Sequence, residues 1–350
     1  MSKRTHFRTA LCCSVVAGAL LSGTATADAQ TVLRLGHLNP QDPHSNSSAA
    51  MAQVFKETVE SRTGGEIEVQ IYPDGQLGED SEVIQQVRNN VVQSSISSVG
   101  GVAAHYPRIG VLDVPFAFPD ISVTYEVMDG SFGDMLAQDI EDETGMMVLE
   151  FGDSGGFFAF TNSVQPIEAL EDMEGMRIRT MEVATHEAMI SGLGAEPTSL
   201  PWGEVYTALQ TGVADGQMNP LPIIAFANFQ EVQEYLTLSE HLWTPYPWLM
   251  NREFFDGLSD EHQQIIRYAA RNANVAGRGI SRLVETGELG IPALVEGGME
   301  LNTFDEEQRQ AFASAAQPAV MEAIESEFGE RGVELMEAFL EAIEEAAEQQ

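Results

Sequence analysis

Cysteine, lysine and long apolar stretches are all scarce in this chain of 350 residues. The two cysteines, Cys12 and Cys13, both lie near the N-terminus, so the rest of the chain has neither a disulfide nor a thiolate ligand for a metal. After residue 23 no run of about 18 residues is apolar, which predicts no membrane-spanning helix there. The sequence also lacks a glycine-rich phosphate loop and the histidine spacing of zinc sites, so we expect no cofactor and no metal.

Basic residues are few beside acidic ones. The chain has 17 lysine and arginine residues against 54 aspartate and glutamate residues, a net charge of −37. Such an excess of negative charge opposes binding to nucleic acids and to anionic membranes. It also favours a salt-loving host, because salt screens the repulsion within a compact acidic chain. The alternative is an ordinary acidic exported protein.

The N-terminus has the three parts of an export signal. Basic residues precede a mostly apolar run over 9–23, and residues 25–29 read ATADA, which offers two A-x-A cleavage sites. We expect cleavage after Ala29, with Ala27 as the alternative, and a periplasmic product. Cys12 comes too early in the apolar run for a lipoprotein signal, so we expect no direct lipid anchor.

Strand and helix patterns alternate in the first part of the chain. Alternating residues predict strands over 31–38 and 66–72, helical spacing predicts helices over 49–59 and 82–92, and small residues predict a strand over 94–99. This order predicts an α/β fold with a mostly parallel, buried sheet.

Ligands on such sheets gather beyond the carboxyl ends of the strands. His37 follows the first strand, Gln76 lies in the loop after the second, and Ser98 ends the third. We therefore place these three side chains near a cleft.

The remaining patterns are mainly helical, and the last helix carries an apolar stripe that suits packing on the body. We expect helices over 125–136, 184–193, 259–284 and 306–347, and strands over 146–151 and 157–162. The stripe comprises Phe312, Val320, Ile324, Leu335, Phe339 and Ile343.

A candidate anion site lies in two nearby segments. Residues 176–180, MRIRT, read as a strand on which Arg179 and Arg177 face opposite sides. Downstream, Trp202 precedes a helix, and a polar turn carries Gln217 and Asn219. An arginine, an aromatic side chain and a fixed amide together suit the binding of a small organic anion.

These segments resemble the extracytoplasmic solute-binding proteins of TRAP transporters, of the dicarboxylate-binding type. The resemblance extends over nearly the whole chain after the leader. It includes LRLGH at 33–37, GGEIEVQIYPDGQLGED at 64–80, VLDVPFAFPD at 111–120, PIEALEDMEGMRIRT at 166–180 and, as the most specific segment, LGAEPTSLPWGEVYTALQTGVADGQMNP at 193–220.

The resemblance implies a two-domain periplasmic-binding clamshell with mixed or parallel sheets and a long helix spanning both lobes. We place the signal peptide at 1–29, the first lobe at 30–156 plus about 245–284, and the second lobe at 157–244 plus about 285–350. It also implies that Arg179 grips a ligand carboxylate, that Asn219 assists, that Trp202 lines the pocket, and that the solute passes to TRAP integral membrane permease subunits.

Two departures from the family pattern make the site less cationic. Phe158 lies on the strand where many relatives carry a second arginine, and Met218 stands where relatives often have glutamate. Glu182 and Tyr246 are further candidates for the pocket, and an acid beside aromatic side chains can receive an amine. We expect a monocarboxylate or sugar acid, with a zwitterionic or amine-bearing solute, such as an ectoine-like compound or small amino alcohol, as the alternative.

Two other classes stay open at this point. An exported enzyme could act on the same kind of solute, and a sensory protein could present the solute to a receptor. We expect no enzyme, because no residue pattern near the candidate anion site provides an activated nucleophile.

Salt should raise the melting temperature if the acidic composition is an adaptation to salt. The Debye length falls from about 30 Å at 0.01 M to about 3 Å at 1 M, which removes most of the repulsion between exposed carboxylates. Thermal melting in low and in molar sodium chloride measures this effect. An unchanged melting temperature would exclude the adaptation.

Overall fold

A computed structural model of the protein describes residues 30–349, and the predicted leader lies outside them. Ten strands form its sheet framework: β1 Thr31–Gly36, β2 Ile67–Tyr72, β3 Ser94–Ile96, β4 Met146–Asn162, β5 Arg177–Thr180, β6 Glu196–Ser199, β7 Gly216–Pro220, β8 Tyr235–Leu238, β9 Trp243–Asn251 and β10 Glu300–Thr303.

Twelve α-helices accompany these strands in the described part of the chain, with short 3-10 turns between them. They are α1 Ser47–Arg62, α2 Asp80–Arg88, α3 Val99–Ala103, α4 Ile121–Asp129, α5 Ser131–Thr144, α6 Ala184–Gly192, α7 Val205–Thr211, α8 Leu221–Phe226, α9 Arg252–Asp256, α10 Asp260–Thr286, α11 Ile291–Glu296 and α12 Glu306–Ala347. None of these helices combines the length and the apolar character needed to cross a bilayer.

The sheet is mixed, and two lobes are built on its two ends. Its strand order is β2-β1-β3-β9-β4-β7-β5-β6, while β8 also pairs with β4 and β10 pairs with β8. The expected parallel pairing holds for β1 with β2 and β3. Strand β9 then runs antiparallel to both β3 and β4. We call the part built on β1–β3 the first lobe and the part built on β5–β8 and β10 the second lobe.

Strand β4 connects the lobes. Two strands were expected over 146–151 and 157–162, but one continuous strand covers both. Its first part pairs with β9, and residues 158–162 pair with β7 and β8. The register shifts between Asp153 and Phe157, where Gly155 and Gly156 have positive φ angles of 140° and 95°. The glycines allow this bulge, so that the strand bends between lobes without ending.

The helices show where the sequence patterns were correct and where they were not. Ser259 caps α10 as expected, since its hydroxyl accepts the His262 amide. The helix expected over 125–136 is split at Gly130 into α4 and α5. The prediction of a turn at Gln217 and Asn219 is wrong, because these residues lie in the buried strand β7.

Two long helices bind the lobes together. Helix α10 packs on α1 and β4 and also reaches α8. Helix α12 is kinked at Gly329, where φ is 62° and ψ is −158°. It packs on α6 of the second lobe and on residues 107–113 of the first. All six residues of its predicted apolar stripe are buried. These helices restrict how the lobes move relative to each other, while the exact lobe boundaries stay a prediction.

Asp153 is a fully buried carboxylate at the bend of β4. One oxygen, Oδ1, accepts the amides of residues 155–156 at 3.1 and 2.8 Å and the indole N–H of Trp243 at 3.1 Å. The other, Oδ2, accepts the Tyr125 hydroxyl at 2.7 Å and an Arg282 N–H at 3.3 Å. Five donors from four elements, β4, β9, α4 and α10, therefore meet on one side chain, which fixes the bulge between the lobes.

Replacement Asp153→Ala should lower the free energy of unfolding by at least ~2 kcal/mol, because it leaves buried donors without an acceptor. Urea unfolding measures this loss. Asp129→Asn is the matched control, since Asp129 also pairs with an arginine of α10 but is half exposed, and it should cost less than about 1 kcal/mol. Equal losses in the two variants would contradict the role of Asp153.

Candidate functional site

A cavity of about 320 Å³ lies where the two lobes face each other. Seven of the nine candidate residues line it: Ser98, Phe158, Arg179, Glu182, Trp202, Asn219 and Tyr246. The lobes are in contact at its edge, because a Cβ added to Gly100 of the first lobe would lie 3.0 Å from Cβ of Met181 in the second.

His37 and Gln76 do not line this cavity. The His37 ring is buried and hydrogen-bonded through Nε2 to Gln41 at 2.8 Å, and burial lowers its pKa. Gln76 is exposed in the turn after β2. The predicted end of β2 at residue 72 is correct, whereas β1 ends two residues earlier than predicted, at Gly36. In neither case does the position along the strand show where a loop side chain points.

Arg179 is the only cationic residue among those that line the cavity. It is 3 % exposed, and its Nε and Nη2 donate to the carbonyl of Leu200 at 3.1 and 2.6 Å. Burial lowers the pKa of the guanidinium to about 10, against the opposing field of Glu182 and Glu79. It therefore keeps its charge at neutral pH while no carboxylate of residues 30–349 forms an ion pair with it.

Arg177 has the opposite role, as the strand alternation predicts. Its guanidinium and backbone N–H bind both carboxylate oxygens of Asp215 at 2.5–2.9 Å near the surface. This ion pair raises the pKa of Arg177 and lowers that of Asp215. The two arginines of this short strand thus differ in their ion pairs: Arg177 is paired with Asp215, whereas no carboxylate of the described residues pairs with Arg179.

Asp80 is a cavity residue that the sequence analysis missed. It begins α2, two residues before the expected helix, and its Oδ2 accepts the Ser98 amide at 2.8 Å. Burial raises the pKa of Asp80 from its usual value of 3.8 to about 6. Hydrogen bonding from the Ser98 and Ser97 side chains opposes this rise. The available signal was the pair of acidic residues after the QLG motif, of which Asp80 is the second.

Further polar groups lie near Asp80. The amide of Asn39 donates to the hydroxyls of Tyr246 at 2.9 Å and Ser48 at 2.8 Å. Asn39 and Tyr246 both line the cavity. Because Tyr246 accepts from Asn39, its own proton is free to be donated into the cavity. The first lobe therefore offers both hydrogen-bond acceptors and a donor.

The apolar walls come mainly from the second lobe. Trp202 lies at the start of a 3-10 turn and packs against Phe226 and Phe229 at centroid distances of 6.2 and 5.9 Å. Phe158 and Ile223 complete this side. Aromatic faces of this kind pack against the carbon skeleton of a ligand and exclude water from its charged groups.

Comparison with known proteins identifies the family. The chain matches the family model of the bacterial extracellular solute-binding proteins, family 7, over residues 38–327. The chain belongs to this family. The resemblance to TRAP solute-binding proteins is thereby confirmed, and so is the two-lobed α/β clamshell with mixed sheets, which solved structures of the family share.

Individual relatives differ in what they bind. The 2,3-diketo-L-gulonate-binding periplasmic protein of Escherichia coli is 32% identical over 300 residues, covering 86% of this chain and 88% of that one. The ectoine-binding periplasmic protein of Halomonas elongata is 31% identical over 327 residues, covering 92% and 93%. The sugar acid binding protein of Advenella mimigardefordensis, solved with galactonate, has a TM-score of 0.83 at 30% identity, covering 90% and 98%.

Replacement Asp80→Asn should stabilise the ligand-free protein above pH 6. The pKa of Asp80 is raised on folding, so its ionisation opposes folding fully above pH 6, and this cost disappears as the pH falls towards 4. The difference between a pKa of 3.8 and one of about 6 corresponds to about 3 kcal/mol of stability. The side-chain oxygen of the substituted asparagine still accepts the Ser98 amide N–H. Melting of variant and wild type from pH 4 to pH 8 measures the effect. A gain that is equal at every pH would show that burial of the charge is not its cause.

Proposed function

We propose that the protein captures a small hydroxylated monocarboxylate, such as a sugar acid, in the periplasm. It binds the solute in the cavity between the lobes and delivers it unchanged to TRAP integral membrane permease subunits. The observation that carries this proposal is the buried guanidinium of Arg179, which faces the cavity without a protein carboxylate. A ligand carboxylate supplies the missing charge partner and fits two N–H groups of the guanidinium.

One cation favours one carboxylate. Arg179 is the sole arginine, lysine or histidine among the residues lining the cavity, and Phe158 lies where a second arginine was expected in relatives. A dicarboxylate would bury its second charge beside Asp80, Glu79 and Glu182. Since an unpaired buried charge is costly, the second end of the ligand should be neutral or positive.

The polar groups of the first lobe suit hydroxyl groups. The Asp80 carboxylate and the Asn39 amide oxygen are hydrogen-bond acceptors in the cavity wall, and the Tyr246 hydroxyl is a donor. A sugar acid carries a carboxylate at one end and several hydroxyls along the chain, so that it satisfies both sides of the cavity. Two of the relatives described above are named for sugar-acid ligands, which supports this class.

A zwitterionic solute is the second candidate. Glu79, Asp80 and Glu182 outnumber Arg179 in the cavity wall, and this acidity favours a ligand whose far end is cationic. The relative from Halomonas elongata is named as ectoine-binding. The raised pKa of Asp80 weighs against this candidate at acidic pH, where a neutral carboxyl group attracts a cation less.

The cavity wall supports binding without chemistry. The hydroxyl of Ser154, which lines the cavity, donates to the Thr244 carbonyl at 2.7 Å. The lining contains no histidine, cysteine or lysine that would activate it. Opening and closing of the lobes about the bend in β4 is then the only step that the protein needs to bind and release its solute.

Calorimetry with D-galactonate, ectoine and succinate separates these candidates. We expect binding of D-galactonate, no binding of succinate, and recovery of the ligand unchanged by NMR after prolonged incubation. Tight binding of ectoine alone would establish the zwitterionic candidate instead. Formation of a product would show that the protein is an enzyme.

Arg179→Ala should weaken D-galactonate binding by 2–5 kcal/mol, or about 30-fold and more, because it removes a buried charge partner. The folded protein should not lose stability, since the buried cation is itself costly. Arg177→Ala is the control on the same strand and should change the affinity less than twofold. Similar losses in both variants would remove Arg179 from the binding site.

A further inference from the structure

A row of buried polar side chains runs from the cavity into the second lobe. Asn219 Nδ2 donates to Gln217 Oε1 at 2.5 Å, Gln217 Nε2 donates to Thr161 Oγ1 at 2.9 Å, and Thr161 Oγ1 donates to Gln233 Oε1 at 2.9 Å. All four residues are buried, with exposures of 0–5 %. We call Asn219, Gln217, Thr161 and Gln233 the amide relay.

The far end of the amide relay sets its direction. Gln233 Nε2 lies 3.0 Å from the carbonyl of Val232 and 3.4 Å from that of Asp215. Carbonyl oxygens only accept hydrogen bonds, so Gln233 must turn its NH₂ group towards them and its Oε1 towards Thr161. The single proton of the Thr161 hydroxyl is thereby committed to Gln233, and its oxygen accepts from Gln217.

The same reasoning then fixes Asn219. Gln217 has used its NH₂ group on Thr161, so its oxygen faces Asn219 and accepts from Nδ2. Rotating the Asn219 amide by 180° would bring two carbonyl oxygens together in a buried place, which is costly. The Oδ1 of Asn219 has no hydrogen-bond partner among residues 30–349 and is left to the cavity that this residue lines.

The sheet register places the amide relay beside the arginine. Thr161 of β4 lies opposite Gln217 of β7, and Gln217 lies opposite Arg179 of β5. Asn219 follows Gln217 by two residues and therefore lies on the same face of the sheet. The paired strands β4, β7 and β5 thus fix both the donor, Arg179, and the acceptor, Asn219 Oδ1, relative to each other.

We propose that the amide relay holds Asn219 as a hydrogen-bond acceptor, so that the ligand presents an O–H or N–H group to it. Gln217, Thr161 and Gln233 are positioning residues that never touch the ligand. This gives Asn219 Oδ1 a partner of its own in the ligand, beside the ligand carboxylate that the family resemblance implies, since one N–H of Nδ2 is not used by Gln217. The inference rests on the proposed function, because it takes a hydroxylated carboxylate as the ligand.

Thr161→Val and Thr161→Ser form the matched pair that tests this inference. Valine keeps the size and the strand preference but breaks the amide relay, whereas serine retains the hydroxyl. D-galactonate and hexanoate serve as six-carbon ligands with and without hydroxyls. We expect Thr161→Val to weaken D-galactonate about tenfold and hexanoate less than twofold, and Thr161→Ser to leave both within twofold. Equal losses for the two ligands, or equal losses in the two variants, would overturn the inference.

A ligand-free measurement keeps this test separate from the proposed function. The side-chain N–H resonances of Asn219 and Gln217 should exchange slowly with solvent in the wild type and in Thr161→Ser, and rapidly in Thr161→Val. If D-galactonate fails to bind the wild type while this pattern is found, the ligand class is wrong and the amide relay stands. Rapid exchange of the Asn219 N–H in the wild type would refute the amide relay itself.

Discussion

The proposed binding site depends on one cation that the protein buries without a carboxylate. Arg179 keeps its charge at neutral pH, although burial lowers its pKa to about 10. Two of its N–H groups share the Leu200 carbonyl, which offsets part of the cost of removing the guanidinium from water. Glu79 and Glu182 favour the charge from a distance without neutralising it by contact. The part of this desolvation cost that stays uncompensated is smallest when an anion occupies the cavity. The buried charge of Arg179, which costs stability in the free protein, therefore favours binding of an anion.

The strand arrangement explains how this charge is kept apart from the many acids of the chain. Residues on β5 alternate in direction, so that Asp215 is bound by Arg177 on one side and cannot reach Arg179 on the other. Strand β7 separates Arg179 from β4, and its Gln217 side chain is hydrogen-bonded within the sheet. In a chain of net charge −37, such separation is necessary, since a flexible cation would be captured by a carboxylate of its own protein.

Much of the fold and of the candidate site follows from local patterns in the sequence. Strand alternation alone distinguished Arg179 from Arg177, and the serine cap located α10 to within one residue. The error at Gln217 and Asn219 has a nonlocal cause. Polar residues usually mark turns, but here Gln217 donates a hydrogen bond to Thr161, and Thr161 donates one to Gln233. Both of these residues belong to distant segments of the chain. No local pattern can show that a polar side chain will find such a partner.

Asp80 and His37 illustrate the same limit in opposite ways. Asp80 was missed because α2 begins earlier than its hydrophobic pattern suggests, which turns a loop residue into part of the cavity wall. His37 was expected near the cleft because it follows a strand, yet a hydrogen bond to Gln41 holds its ring elsewhere. The direction of a loop side chain depends on tertiary contacts, and the sequence pattern contains no information about them.

The acidity of the whole molecule also bears on how an anionic solute reaches the cavity. At low ionic strength the net charge of −37 repels a carboxylate over roughly 30 Å, whereas Arg179 attracts it only close to the cleft. At molar salt the repulsion extends over only ~3 Å, while the ion pair in the closed, dry cavity is screened much less. Salt should therefore favour both folding and the binding of an anion, because it screens the repulsion by the carboxylates in each case. An acidic surface around a single buried arginine is a consistent combination where salt is abundant, and a costly one where it is not.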